Sequence, residues 1–279
     1  MTYETLKVDR TPAGIALVWL NRPEIRNAFN ETMIAEITAA FRTLDADAGV
    51  RAIVLAGQGK AFCAGADLNW MKKMAGYTFE QNYDDALGLA NMLHTIHTVK
   101  KPTLARVHGP AFAGGMGLVA ACDIAVAGQS AEFCLSEVKL GLVPATISPY
   151  VIAAMGERAA YRYMLTAEPF EAAEAYRIGF VQEIAQDEEL DGVINQILGH
   201  LVLGSPAAHT ATKDLLRAVR GQPLGTDLIK DTATRIAAAR ASDEGKEGIG
   251  SFLEKRKPAW VVETRKAAKR STGARRKGK

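Results

Sequence analysis

The sequence predicts a layered α/β core followed by a helical region. Over residues 1–140, short apolar runs typical of buried strands alternate with amphipathic helical periods. From residue 148 onward, helical periodicity alone recurs. The 279 residues are 48% hydrophobic and 23% charged, a composition that supplies apolar surface for a sizeable core. We therefore expect one large domain, or a large domain with a smaller appendage.

The individual elements follow from the period of the apolar residues. Strands are predicted at 14–20, 52–56, 103–107, 123–127 and 131–135. Helices are predicted at 31–44, 79–99, 148–165, 171–176, 188–203, 206–219 and 227–240. The first two strands and the helix between them form a strand–helix–strand unit.

Composition excludes several classes of protein. The three cysteines, Cys63, Cys122 and Cys134, cannot all pair and have no C-x-x-C spacing, which favours a reducing compartment and argues against structural zinc. The uncharged run at 140–156 contains Pro144 and Pro149, so it does not predict a membrane span. The first residues have no signal-peptide pattern. The expected location is the cytoplasm.

The net charge of +3 is unevenly distributed along the chain. Residues 265–279 contain eight Lys or Arg and no acid, so the rest of the chain carries a net charge of −5. A solvated basic tail is the expected interpretation. Binding of nucleic acid or another polyanion by this tail is the alternative, and nucleic acid is not the expected partner.

Two glycine-rich turns follow predicted strands. The first, FCAGADL at 62–68, allows a ligand close to the backbone, and Asp67 is placed to cap a helix that begins at Leu68. The second, GPAFAGGMG at 109–117, opens a helix whose first amides and dipole attract negative charge. Two such amides make an oxyanion hole for a thioester or ester carbonyl. Tight turns and close helix packing are the alternative explanation of these glycines.

The second turn has two other interpretations. A phosphate-binding P-loop requires a lysine where Gly115 stands, so that interpretation fails. A dinucleotide fingerprint, G-x-G-x-x-A from Gly115 to Ala120, has Glu137 at a suitable distance for a ribose contact. Its context is wrong, because the strand ends at Val107, well before Gly115.

Glu137 is the candidate acid or base. It stands among apolar neighbours just after a predicted strand, where burial would disfavour its charged form. A surface or ion-paired glutamate is the alternative interpretation.

Several separate motifs, in this order, resemble the crotonase superfamily, also called the enoyl-CoA hydratase/isomerase family. They are FCAGADL at 62–68, GPAFAGGMG at 109–117, Cys122-Asp123 and EVKLGLVP at 137–144. The likeness extends from NRP at 21–23 and NAF at 27–29 to FLEKRKP at 252–258. Within the family, FCLSEV at 133–138, VPATI at 143–147 and PAW at 258–260 are most similar to bacterial methylglutaconyl-CoA hydratases of leucine or acyclic terpene breakdown.

The resemblance implies a spiral of ββα units with a C-terminal helical region that packs homotrimers or hexamers. It divides the chain into a core at 1–200 with the active site, a helical region at 201–264 and the basic tail at 265–279. It places the backbone amides of Ala66 and Gly114 on the thioester oxygen and makes Glu137 the catalytic glutamate. The residues that it implies for CoA binding are Arg26, Ala64, Asp67, Leu68 and Lys255.

The implied reaction is hydration of an α,β-unsaturated acyl-CoA. Methylglutaconyl-CoA is one substrate that the resemblance suggests. CoA would enter with the substrate, and no metal or separate cofactor is expected. Many hydratases of the family have a second glutamate where this chain has Gly117, so a single-glutamate mechanism is expected. A Δ3-Δ2 enoyl-CoA isomerase is the main alternative, followed by acyl-CoA hydrolysis or decarboxylation. A CoA-ester sensor, an RNA-binding protein and an NAD oxidoreductase are the alternatives from other classes.

Overall fold

A six-stranded, mostly parallel sheet lies at the centre of the fold, which we describe for residues 2–261 from a computed structural model. Its strands, in spatial order, are β1 (Leu6–Arg10), β2 (Ile15–Leu20), β3 (Ala52–Gly57), β4 (Thr103–Val107), β6 (Ile124–Gly128) and β9 (Glu183–Ala185). The β1–β2 pair is antiparallel and every other pair in this sheet is parallel. The carboxyl ends of the parallel strands therefore meet at one edge.

Helices cover both faces of this sheet. They are α1 (Glu31–Ala46), α2 (Leu68–Met74), α3 (Phe79–Thr98), α4 (Gly114–Ala121), α5 (Ser148–Thr166), α6 (Ala172–Arg177), α7 (Leu190–Leu203), α8 (Pro206–Val219), α9 (Thr226–Ala241) and α10 (Asp243–Leu253). Strand β3 is buried along its whole length. Ile53 and Leu55 join the cluster that contains α1, α3 and α4, whereas Val54 packs with α7 on the opposite face. Burial of both faces explains why this strand is uniformly apolar.

A second, smaller sheet holds the candidate catalytic segments. It contains β5 (Pro110–Phe112), β7 (Glu132–Cys134) and β8 (Phe170–Glu171). β5 and β7 are parallel, with Ala111 opposite Phe133. An isolated parallel bridge pairs Cys63 with the same Ala111, and another pairs Phe29 with Ala66. The first glycine turn is thus aligned with β5 and β7.

Most predicted elements are confirmed, with three kinds of difference. β1, β5, β8, β9 and α10 were not predicted, because most are too short to show a period. The expectation of helical periodicity alone after residue 148 is wrong, since β9 completes the edge of the main sheet. The expected boundary after residue 200 falls inside α7. The basic tail lies outside the described residues, and within 2–261 no helix has the length and apolar character needed to cross a bilayer.

Candidate active site

Three chain segments end together at the carboxyl edge of the smaller sheet. Cys63, Ala111 and Phe133 occupy neighbouring positions across the parallel pairs. Ala66 and Gly114 each follow their paired residue by three positions, and Glu137 follows by four. Because parallel neighbours leave the sheet in the same direction, these three residues are brought to one side of the fold. The resemblance to the family placed these same three residues in the active site.

The Ala66 amide is oriented by its neighbours. Phe29 donates to the Gly65 carbonyl at 2.9 Å, and the Asp67 amide donates to the Phe29 carbonyl at 3.0 Å. In a parallel bridge of this kind, the residue between the two bonded neighbours directs its own N–H to the opposite side. Within residues 2–261 the Ala66 amide donates no hydrogen bond. It is therefore free to bind a ligand.

The Gly114 amide is the first of α4 and is also free of a protein acceptor in the described chain. The first amides of a helix have no intrahelical partner and carry the positive end of its dipole. The preceding Ala113 has φ 49° and ψ −121°, a conformation that strains a residue with a side chain. Its amide donates to the Cys134 carbonyl at 2.7 Å, which fixes the start of α4 against β7.

Glu137 begins a short 3-10 turn, Glu137–Leu140, immediately beyond β7. Its Oε2 atom is buried and has no hydrogen-bond partner among the described residues. Burial raises the pKa of this carboxyl above its ordinary value, against the effect of a bond from its own backbone amide. Glu137 forms no ion pair within residues 2–261, and its Oε2 is not a surface atom. A buried carboxylate without a protein partner is suited to exchange a proton with a ligand.

Gly117 stands where many hydratases of the family have a second glutamate. The structure shows which side chains occupy the space beside Gly117. A Cβ atom added to Gly117 would lie 2.3 Å from Cγ2 of Ile147 and 3.6 Å from Cδ2 of Leu93. Ile147 is 2% exposed and Leu93 is fully buried. Two apolar side chains thus fill the direction in which an acid at this position would point.

We expect Gly117→Glu to destabilise the fold by about 3 kcal/mol, because overpacking and an unpaired buried carboxylate both have a cost. For a chain of this size, that corresponds to a melting temperature lower by roughly 6–12 °C. Calorimetry of Gly117→Glu and of the double variant Gly117→Glu/Ile147→Ala measures the effect. The double variant should recover part of the loss, and an equally low melting temperature would show that Ile147 is not the obstacle.

Arg26, Ala64 and Leu68, three of the residues implied for CoA binding, lie on or beside the first glycine turn. Arg26 is exposed in a left-handed conformation with φ 54°, and its carbonyl accepts a 3.0 Å bond from the Ala64 amide. Leu68 begins α2 and is 73% exposed. The structure therefore brings Arg26 and Ala64 together. Leu68 lies two residues after Ala66, at the start of α2.

Asp67 is committed to holding the first turn. Its carboxylate accepts a 2.7 Å bond from the Asn69 amide, which confirms the predicted cap of α2. It also pairs with the Arg22 guanidinium at 2.8 Å. Burial acts to raise the pKa of Asp67, but these bonds outweigh it and hold the pKa below its usual value. Within this structure, the Asp67 side chain is a structural partner of Arg22.

No hydrogen bond or ion pair joins Lys255 to the other candidates within residues 2–261. Lys255 follows α10, and Trp260, five residues later, donates to the Leu203 carbonyl and accepts from Arg51. Arg51 immediately precedes β3, whereas the first turn follows the other end of that strand. Six strand residues span about 20 Å. Trp260 is therefore anchored near the opposite end of β3 from the first turn.

Sequence reasoning missed the residues that support the first turn. Asn27 is fully buried with φ 55°, and its amide donates to the carbonyls of Gln58 and Ala61 at 2.8 and 2.9 Å. Its side-chain oxygen accepts from the Arg22 amide at 2.9 Å. The available signal was NAF at 27–29, but a single sequence does not show that its asparagine side chain bonds across two loops.

Cys63 is excluded as a nucleophile by its surroundings. It is fully buried, and desolvation raises the pKa of its thiol to about 12 despite a weak bond to the Gly65 carbonyl. A thiol with that pKa is not a reactive thiolate near neutral pH. Within the described residues, no group of three or more His, Cys, Asp or Glu side chains is arranged to hold a metal ion.

Comparison with known proteins agrees with this fold. Residues 10–263 match the enoyl-CoA hydratase/isomerase family. An enoyl-CoA hydratase structure from Shewanella pealeana is 42% identical, with a TM-score of 0.90 over 93% of this chain and 97% of that one. An enoyl-CoA hydratase structure from Mycobacterium smegmatis is 34% identical, with a TM-score of 0.87 over 92% and 99%. Enoyl-CoA hydratase ACTT6 from Alternaria alternata is 36% identical over 90% of this chain and 80% of its own length.

The chain therefore belongs to the enoyl-CoA hydratase/isomerase family and has the crotonase fold. The mixed α/β core with a helical C-terminal region confirms the fold class expected from the sequence. The dinucleotide interpretation is wrong, since Gly115 and Gly117 lie inside the short, buried α4.

Proposed function

We propose that this protein hydrates α,β-unsaturated acyl-CoA thioesters. Two observations support the proposal: Oε2 of Glu137 is buried and unpartnered, and the backbone amides of Ala66 and Gly114, on segments paired in register with β5 and β7, are free within the described residues. The amides would bind the thioester oxygen. Negative charge develops on that oxygen when water adds to the neighbouring double bond, so the two donors would stabilise the transition state more than the substrate.

Glu137 would perform both proton transfers. As a carboxylate it accepts a proton from the water that attacks Cβ, and as the acid it returns that proton to Cα. The overall addition places the hydroxyl on Cβ and hydrogen on Cα, with no net proton released. The raised pKa supports both steps, because a base and an acid work best when their pKa is closer to neutrality.

The surroundings of Gly117 favour a second candidate, a Δ3-Δ2 isomerase. Ile147 and Leu93 make the space beside Gly117 apolar, and Gly117 itself supplies no second acid to hold a water. A single carboxyl group would then move one proton between two carbons of the acyl chain, without adding water. Ala66 and Gly114 would bind the same enolate oxygen in both reactions.

Incubation with a panel of enoyl-CoAs in ¹⁸O-labelled water distinguishes these reactions. Methylglutaconyl-CoA belongs to the panel because of the motif similarity around Glu137. We expect a 3-hydroxyacyl-CoA that carries one labelled oxygen, detected by mass spectrometry. An unlabelled positional isomer would support the isomerase, whereas release of free CoA would identify a hydrolase and contradict both proposals.

The proposed partners are the CoA substrate and further copies of the chain, as a homotrimer or hexamer. Large apolar side chains remain exposed on α8, α9 and α10, among them Leu216, Ile229, Ile236, Phe252 and Leu253. Association would cover this surface. It would also allow Lys255 to reach the CoA bound by a neighbouring subunit, together with Arg26, Ala64 and Leu68 of that subunit.

A further inference from the structure

Phe29 is a buried residue that contacts both glycine turns. It directly precedes Asn30, the N-cap of α1. Its backbone pairs with the first turn at Ala66, whereas its ring lies against the second turn at Gly114. The two backbone amides of the proposed oxyanion hole therefore adjoin one and the same residue.

The backbone of Phe29 determines where the first amide lies. Its N–H donates to the Gly65 carbonyl at 2.9 Å, and its carbonyl accepts from the Asp67 amide at 3.0 Å. These bonds flank Ala66 on either side, and within residues 2–261 they leave the Ala66 N–H without a protein acceptor. A displacement of the Phe29 backbone would therefore carry the Ala66 amide with it.

The ring of Phe29 determines where the second amide lies. A Cβ atom added to Gly114 would lie 2.3 Å from Cζ and 2.7 Å from Cε1 of this ring. Both distances are far below the roughly 3.5–4.0 Å of an ordinary contact between carbon atoms. The tip of the ring thus occupies the place of a side chain at position 114. The start of α4, with its first amide, rests directly on the ring.

A third element packs against the ring of Phe29. Trp70 of α2 is buried, and its ring centroid lies 5.7 Å from that of Phe29, with 57° between the ring planes. Aromatic pairs at this separation and tilt attract each other. The indole N–H of Trp70 in turn donates to the Asp85 carboxylate of α3 at 3.0 Å. The Phe29 ring is therefore held between α2 and the start of α4.

We propose that Phe29 is a positioning residue that sets both donors of the oxyanion hole, the Ala66 amide through its backbone and the Gly114 amide through its ring. The inference rests on the proposed function, since the two amides must bind a thioester oxygen. Such groups need to be held within about 0.5 Å of the productive geometry by residues that packing has locked. One buried residue in contact with both turns keeps the separation of the two amides constant.

The test exchanges volume between positions 29 and 114. Phe29→Leu alone should lower kcat about tenfold, because the start of α4 loses its support. Gly114→Ala should lower kcat about 10²–10³-fold, the loss of one oxyanion-hole donor. Phe29→Leu removes the atoms at the tip of the ring, so Phe29→Leu/Gly114→Ala should be about tenfold more active than Gly114→Ala. Phe29→Tyr adds a hydroxyl at Cζ that presses on Gly114, and it should also lower kcat about tenfold.

Infrared spectra of bound butanoyl-CoA, ¹³C-labelled at the thioester carbonyl, report on the two donors without turnover. We expect the unaltered protein to lower the carbonyl stretching frequency below its value in solution, because both amides donate to the oxygen. Gly114→Ala and Phe29→Tyr should reduce that shift, and the double variant should regain part of it. A residue that only stabilised the fold would leave the shift unchanged.

Phe41→Leu is the matched control, because Phe41 is equally buried in α1 but lies about 18 Å further along that helix. It should leave kcat and the carbonyl shift unchanged, and it should not improve Gly114→Ala. A double variant no more active than Gly114→Ala, or equal rescue by Phe41→Leu, would overturn the inference. If Gly114→Ala does not fold, an unaltered carbonyl shift in both Phe29→Leu and Phe29→Tyr would overturn it.

The same spectra separate this inference from the proposed function. A carbonyl shift in the unaltered protein without conversion of any enoyl-CoA would contradict the proposed function. The change of that shift in the Phe29 variants would then still support the positioning role, and its constancy would refute the role. Absence of a carbonyl shift in the unaltered protein would contradict both.

Discussion

Replacing Glu137 by glutamine is expected to lower kcat for hydration by about 10²–10⁴-fold, the range that a positioned acid–base group contributes. The amide keeps the shape of the side chain but cannot accept the proton of the attacking water. Binding of a saturated acyl-CoA should be nearly unchanged, since the Ala66 and Gly114 amides remain. Steady-state kinetics and calorimetric binding measure the two quantities separately.

The dependence on pH adds an independent check of Glu137. Water attack requires the carboxylate, so kcat/KM should increase as the pH rises through the elevated pKa of this residue. Stability has the opposite dependence, because a raised folded-state pKa stabilises the protein below the ordinary value of 4.5 and this contribution is lost as pH rises through the folded-state pKa. The melting temperature of Glu137→Gln relative to the unaltered protein should therefore increase over that interval. Wild-type turnover by this variant would exclude Glu137 as the acid–base group.

Gly114→Ala is expected to reduce kcat by about 10²–10³-fold, the effect of losing one oxyanion-hole donor. An added Cβ would lie 2.3 Å from Cζ of the Phe29 ring, which is 2% exposed. The start of α4 must therefore shift and turn its first amide away from the thioester oxygen. The measurement is kcat for a good enoyl-CoA substrate, compared with the melting temperature.

Gly199→Ala serves as the matched control, because Gly199 lies inside α7 with no atom within 4 Å of an added Cβ. This substitution should leave kcat unchanged and raise helix stability by up to about 1 kcal/mol. Full activity of a folded Gly114→Ala protein would remove the Gly114 amide from the proposed mechanism. Loss of activity in both variants would indicate a general effect of glycine replacement.

The fold class was predictable because its long elements carry a clear period. The buried strand β3 and the helices α1, α3 and α8 have apolar patterns long enough to identify from one sequence. β8 and β9, with two and three residues, are defined only by their pairing partners. α9 buries none of its residues in a single chain. The apolar residues that give its helical period therefore lie on the surface and not in the core.

The chemical groups of the candidate site were predictable from the sequence. The residues that hold those groups in place were less predictable. The glycine turns indicated free backbone amides, the family resemblance assigned them to Ala66 and Gly114, and the apolar setting of Glu137 indicated a raised pKa. The Asn27 and Arg22 contacts join loops that are remote in sequence, so spacing alone could not reveal them. The same holds for Ile147, which fills the space beside Gly117 from 30 positions away.

The shared alignment of Cys63, Ala111 and Phe133 limits how the two glycine turns can change in length. A residue inserted between Cys63 and Ala66, or between Ala111 and Gly114, would displace one amide relative to the other while the paired strands stayed in place. Substitutions in these turns are therefore more easily tolerated than insertions or deletions. Homologous enzymes that diverge in substrate should vary the segments after α4 while keeping both three-residue spacings constant.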